Sequence, residues 1–205
     1  SIYSALDRLE MYDPLTDSWT SLAPMPTARS GPVAGVINGK LYVVGGYLGP
    51  SPGYVDSLEI YDPGTDSWTK GAPMPAGCSY AACGVINDKF YVVGGWRSKH
   101  LGTLQIYNPV SDTWQYGRSM PTARDHAVVG VIEGKLYVAG GLNGTDPVGA
   151  LEIYSPDSNT WTSLAPMPKP RWGVAGGVLD GKLYVVGGIG EWGGWRDVLE
   201  IYDPG

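Results

Sequence analysis

The chain has 205 residues, among them 31 glycines, 17 prolines, 14 tyrosines, 8 tryptophans and a single phenylalanine. Only 17% of residues are charged and 43% are hydrophobic, which excludes a disordered chain and a coiled coil. A net charge of −6 argues against a nucleic-acid partner, and no apolar run approaches the roughly 18 residues a membrane-spanning helix needs.

So much glycine and proline predicts many short strands joined by turns. Val33 to Ile37 is an apolar run, Asn38-Gly39 is the preferred pair for a type I′ turn, and Lys40 to Val44 returns as a second strand. Gly45-Gly46 follows, then a loop of variable length and a third strand, Leu58 to Tyr61. A turn from Asp62 to Ser67 leads to Trp68 and a fourth strand that ends at Pro73-Met74-Pro75. The unit recurs. Its tryptophans are Trp19, Trp68, Trp114 and Trp161, spaced by 49, 46 and 47 residues, and Gly45-Gly46, Gly94-Gly95, Gly140-Gly141 and Gly187-Gly188 keep the same intervals. The hairpin turn is Asn87-Asp88, Glu133-Gly134 and Asp180-Gly181 in later copies. Four antiparallel strands per unit of about 47 residues is the signature of a propeller blade.

The double glycine, a tyrosine about 15 residues on and a tryptophan seven beyond it resemble the kelch repeat. The motif reads Gly45-Gly46, Tyr61, Trp68, then Gly94-Gly95, Tyr107, Trp114, then Gly140-Gly141, Tyr154, Trp161. The resemblance implies an all-β, kelch-type β-propeller with four blades of four antiparallel strands plus a spare third strand, as a four-blade ring or part of a larger one. Repeats are expected at about 9–57, 58–103, 104–150 and 151–198, with a partial fifth at 199–205, in a single domain. Close backbone approach at the double glycine, covered by the repeat tryptophan, is expected near the axis. An exposed strand edge at either end would invite self-association.

Two cysteines, Cys78 and Cys83, rule out a disulfide framework; five apart in one expected strand, they would face opposite sides. Only His100 and His126 are present, which excludes a histidine-rich metal site though not a carboxylate one; no metal and no cofactor is expected. No basic and apolar leader opens the sequence, and nothing distinguishes a cytoplasmic from a secreted setting for a soluble protein.

Residues that repeat belong to the scaffold, whereas residues that break the repeat are free to function. Trp96, Trp172, Trp192 and Trp195 are the tryptophans outside the repeat, and all fall in loops expected on one face of the disc. Tyr47, Tyr54 and Tyr80 are expected beside them, where exposed aromatic residues favour recognition. Arg29, Arg124 and Arg171 each follow a proline by three residues, and the intervening blade has Cys78 there. They serve either as blade-to-blade hydrogen bonds or salt bridges, or as a guanidinium ring at the channel mouth suited to carboxylate or phosphate. Arg97, Lys99 and Arg196 do not repeat and are candidates for specificity. By count the loop face carries roughly +2 and the opposite face about −6.

No nucleophile elbow, phosphate loop or zinc-protease motif occurs. The copper-oxidase branch that the resemblance brings to mind needs a crosslinked Tyr–Cys pair, which is not identifiable. A sugar-epimerase or mutarotase branch would use Glu191, Asp125 and His126 as acid and base beside Arg124 and Arg171. The expectation is a non-enzymatic scaffold that binds a protein or peptide, acidic or amphipathic, with carbohydrate binding or isomerisation on the same face as the alternative.

Overall fold

The computed structural model describes residues 5–49 and 53–205; the first residues of the chain, read above as lacking a leader, lie outside them. Strands β1 (Leu9–Asp13) and β2 (Ser18–Leu22) form a two-stranded sheet. A four-stranded meander follows, made of β3 (Val33–Ile37), β4 (Lys40–Val44), β5 (Leu58–Asp62) and β6 (Ser67–Gly71). The next contains β7 (Ala82–Ile86), β8 (Lys89–Val93), β9 (Leu104–Asn108) and β10 (Thr113–Gly117). In the third, β11 (Val128–Ile132) and β12 (Lys135–Ala139) are followed by a small hairpin, β13 (Leu142–Asn143) and β14 (Asp146–Pro147). Strands β15 (Leu151–Ser155) and β16 (Thr160–Leu164) then complete that sheet. Strands β17 (Ala175–Leu179) and β18 (Lys182–Val186), a 3-10 turn at Glu191–Gly193 and β19 (Leu199–Tyr202) end the chain in a three-stranded sheet. This is the all-β propeller the repeat implies: four blades' complement of strands with β19 as the spare third strand.

Each inner hairpin has the I′ geometry that its turn residues favour, with positive φ at Asn38 and Gly39, Asn87 and Asp88, Glu133 and Gly134, and Asp180 and Gly181. First strands of adjacent sheets contact one another, β3 with β7, β7 with β11 and β11 with β17, so they line the axis. After a leading lysine each second strand is apolar, and β4, β8 and β12 bury the end of that run between neighbouring sheets, whereas β18 leaves Val186 exposed. In β12, Leu136 and Val138 enter the core shared with the preceding blade, while Tyr137 and Ala139 enter the one shared with β17–β19.

The blades are tied by a recurring pair of hydrogen bonds. Trp68 Nε1 donates to Ala23 O at 2.8 Å, Trp114 to Ala72 O at 2.8 Å and Trp161 to Arg118 O at 2.7 Å. Beside each, a turn side chain accepts the backbone N–H of the same residue: Asp66 from Ala23, Asp112 from Ala72 and Asn159 from Arg118. The Ala23 N–H, followed by the Tyr61 phenol, holds the Asp66 carboxyl below its usual range, and Ala72 with Tyr107 does the same for Asp112. The repeat tryptophan therefore clamps the previous blade at the outer strands and does not cover the double glycine. Gly45 packs instead against the backbone of the next blade, where a Cβ would lie 2.6 Å from Cys78 O.

Cys78 also departs from expectation. It precedes β7 in the connecting segment, so it shares no strand with Cys83. Both thiols are free, and burial pushes each up to about 11.

Candidate functional site

Each double glycine leads into a loop that folds back over the segment entering the same blade. Single antiparallel bridges record this layering: Ser30 to Tyr47 to Tyr54, Ser79 to Trp96 to His100, and Trp172 to Ile189 to Trp195. In the third complete blade Asp125 bridges Leu142, which pairs with Pro147 across the β13–β14 hairpin. Tyr47, Tyr54, Tyr80, Trp96, Trp172, Trp192 and Trp195 thus all come from the two loop types at one end of the blades. Tyr47 and Tyr54 meet at 5.3 Å between ring centroids, tilted by 49°.

A chain of backbone hydrogen bonds runs around this end: Tyr80 N to Gly31 O, His126 N to Tyr80 O and Gly173 N to His126 O. The position requires positive φ, with 61° at both Gly31 and Gly173. Two blades use glycine, which adopts it freely, but Tyr80 sits there at 54° and His126 at 52°. A left-handed conformation costs an ordinary residue roughly 1–2 kcal/mol, and such strain gathers at working sites. The two rings stack, with centroids 4.3 Å apart and planes 17° apart, and the His126 ring meets the Trp172 ring edge-on at 5.2 Å.

Asp125 lies beneath them, 3% exposed. Its Oδ1 is 2.6 Å from His126 Nδ1 and its Oδ2 is 2.9 Å from His100 Nδ1. His100 Nε2 donates to Gly144 O at 3.2 Å and its ring stands against Trp96. One buried carboxylate therefore lies against two histidine rings, hydrogen-bonded to His126 and only close to His100, and His100 reaches from the Trp96 loop to the β13–β14 hairpin. In the sequence His100 stands out only as one of two histidines. Its contact with Asp125 spans two blades, a distance no local pattern reports.

Beside this cluster is a groove of about 770 Å³, lined by Leu142, the 144–147 loop, Trp172 and the segment Ile189–Gly193. Asp146 and Glu191 bring carboxylates to it, and Trp192 extends wholly into solvent at 101% exposure. Trp192 also has a positive φ of 62°, costly for a bulky side chain with no packing to support it. Trp195 is 83% exposed, and Arg196 packs against Gly190 at the groove edge.

The repeated arginines are not at the surface. Arg29, Arg124 and Arg171 are buried and face Glu59, Glu152 and Glu200 of their own sheets. They also donate to backbone carbonyls, Arg29 to Gly45 and Ser57, Arg124 to Val138 and Arg171 to Val185. Burial pulls the Arg29 and Arg124 guanidiniums below their usual range, while the facing glutamates oppose it. The geometry is that of a salt bridge, but one within each blade and not between blades, because each arginine leads into the same sheet whose third strand carries its glutamate. An open ring of guanidinium groups is absent because each points inward to a carboxylate on its own third strand. The acid–base set imagined for sugar isomerisation thereby loses its two solvent-facing arginines.

The face charge changes with it. Once the three arginines and Asp125 are buried, Arg97, Lys99, Lys169 and Arg196 are offset by Asp56, Asp146, Glu191 and Asp197, all exposed. The loop face is close to neutral, and the mildly basic character read from the sequence does not reach solvent. Among the described residues no cluster of three or more metal-ligating side chains occurs, and no helix is long and apolar enough to cross a membrane.

The Kelch motif matches residues 3–26, 28–75, 77–121, 123–168 and 170–205. The chain is 52% identical over 46 residues to the influenza virus NS1A-binding protein homolog of Mus musculus, covering 22% of this chain and 7% of that protein. It is 50% identical over 38 residues to Kelch-like ECH-associated protein 1A of Danio rerio, covering 18% of this chain and 6% of that protein. The solved structure of YjhT aligns with a TM-score of 0.74 at 24% identity, over 84% of this chain and 63% of that one, a likeness of fold. The matched stretches are thus a small part of the curated relatives and less than two thirds of the structural neighbour. Five consecutive motif matches, in phase with the sheets described above, make this chain a member of the kelch repeat family.

Proposed function

We propose that the chain is a non-enzymatic binding scaffold that recognises a protein or peptide segment at the loop face, centred on the groove beside Trp172 and Trp192. The observation that carries the reading is Trp192, fully solvent-exposed and held in a left-handed conformation at the edge of an apolar groove. A large exposed aromatic on a rigid scaffold is a typical interface anchor. Kelch-repeat proteins generally act as protein-interaction scaffolds, and the NS1A-binding protein homolog is named for a protein ligand. Asp146 and Glu191 at the groove favour an amphipathic segment that pairs an apolar side chain with lysine or arginine, over the acidic partner expected from face charge alone.

Carbohydrate is the second reading, supported by the same Trp192 ring beside two carboxylates that can accept hydroxyl hydrogen bonds. Tryptophan fluorescence titrated with a peptide library and a sugar panel tests both. Saturable quenching by basic amphipathic peptides, abolished in Trp192→Ala, supports the first reading; saturation by a sugar alone replaces it with the second.

A further inference from the structure

We propose that two copies of this chain associate head to tail, the β1–β2 hairpin of one replacing β19 of the other. The inference goes beyond the loop-face site and rests on three interfaces inside the chain that predict a fourth.

At each internal blade boundary a glycine of a first strand receives a side chain from the next second strand and a valine from the next first strand. A Cβ on Gly35 would lie 2.8 Å from Phe90, and on Gly84 2.6 Å from Leu136 with Val131 at 3.0 Å. On Gly130 it would lie 2.8 Å from Leu183 and 2.7 Å from Val178. The next glycine in this series, Gly177, has nothing within 4 Å among the described residues, and β17 is exposed along its whole length. At the other end of the chain, the side chains that would fill it stand at the corresponding positions: Leu41, and Val36 at 61% exposure.

The outer strands repeat the complementarity. Trp68, Trp114 and Trp161 each donate to the blade before, but Trp19 is 71% exposed with no such bond among the described residues. Its hairpin is already set: Tyr12 OH donates to Asp17 Oδ1 at 2.8 Å, as Tyr61 does to Asp66 and Tyr107 to Asp112. Asp17 has the same positive φ as those aspartates. The position in line to receive this pair is Ala165, next in the series Ala23, Ala72, Arg118. A cavity of about 130 Å³ opens there, lined by Ala165–Pro168 and Tyr202.

The exchange is between near-identical strands. β1 reads Leu-Glu-Met-Tyr and β19 reads Leu-Glu-Ile-Tyr, so Glu10 can take the place of Glu200 opposite Arg171. β1 brings with it β2, a fourth strand that β19 lacks. The chain's own hairpin is not paired with β17–β19 among the described residues, and the chain aligns with 63% of the YjhT chain. A second copy supplies both halves of the match, and a heterologous contact of this kind closes as a ring or propagates.

Analytical ultracentrifugation of the whole chain over a range of concentrations tests the proposal. Species at multiples of the single-chain mass are expected, with the dissociation constant raised at least about tenfold by Gly177→Val and by Trp19→Ala. Gly177→Val points into open space in the single chain, so it leaves the fold intact by circular dichroism. A chain ending at Val198, without the competing β19, should associate more tightly. A monomer at every concentration would overturn the proposal, as would a compact monomer with Trp19 shielded from quencher, in which the chain's own hairpin has closed the ring. Association indifferent to both substitutions would overturn it equally.

Discussion

Arg124 Nη1 donates to Glu152 Oε2 at 2.7 Å with both side chains closed off from water, and the blade before it replaces the pair in concert, with Cys78 for the arginine and Gln105 for the glutamate. Gln105 spends its amide locally, accepting from Ala76 N–H and donating to Ala76 O. The charge and its partner come and go together because a buried carboxylate or guanidinium without the other is costly. Arg124→Ala should therefore destabilise the protein by about 3–5 kcal/mol in urea unfolding, and Arg124→Cys with Glu152→Gln should recover a large part of that loss. Additive losses in this double-mutant cycle would mean the two residues are not a unit.

Stability should fall in acid through the turn aspartates. Asp66 and Asp112 are held below their usual range when folded, so their contribution is full above the unfolded value of about 4 and is lost as pH falls through the folded one. Asn159 makes the same backbone contact without titrating. The double variant Asp66→Asn, Asp112→Asn should show a shallower loss of thermal stability below about pH 4 than the parent, with little change at pH 7.

Trp192 offers a separation of stability from binding. Its side chain packs on nothing and its backbone is strained, so Trp192→Gly should raise unfolding free energy by about 1 kcal/mol while removing ligand binding at the groove. Chemical denaturation alongside fluorescence titration reads both effects in one preparation.

His100 links two loops through Asp125 and Gly144. His100→Ala should leave far-UV circular dichroism unchanged, speed amide exchange across residues 142–147 and weaken ligand binding at the adjacent groove. Unchanged exchange there would show that the hairpin holds its place without the histidine.

Much of the scaffold was legible in the chain because the repeat supplies its own alignment: the double glycines, the I′ turn residues and the tyrosine–tryptophan pairs recur in phase. The inside-out placement of the arginines was less so. An arginine after a Pro-x-x step looks the same whether it points to solvent or to a glutamate about 30 residues away, although the paired change to Cys78 and Gln105 carries that information. The strained position had a signal too, since Gly31 and Gly173 occupy it in the outer two copies and Tyr80 and His126 in the inner two.

The opening composition, rich in glycine and aromatic residues and poor in charge, by itself determined short strands, tight turns and the repeat, because those depend on local backbone preference and on periodic burial. Which charges meet solvent, which histidines share a carboxylate and which blade face is left uncovered were decided only by tertiary structure. Those depend on contacts between strands tens of residues apart, where curvature and blade stacking, and no local rule, bring the partners together.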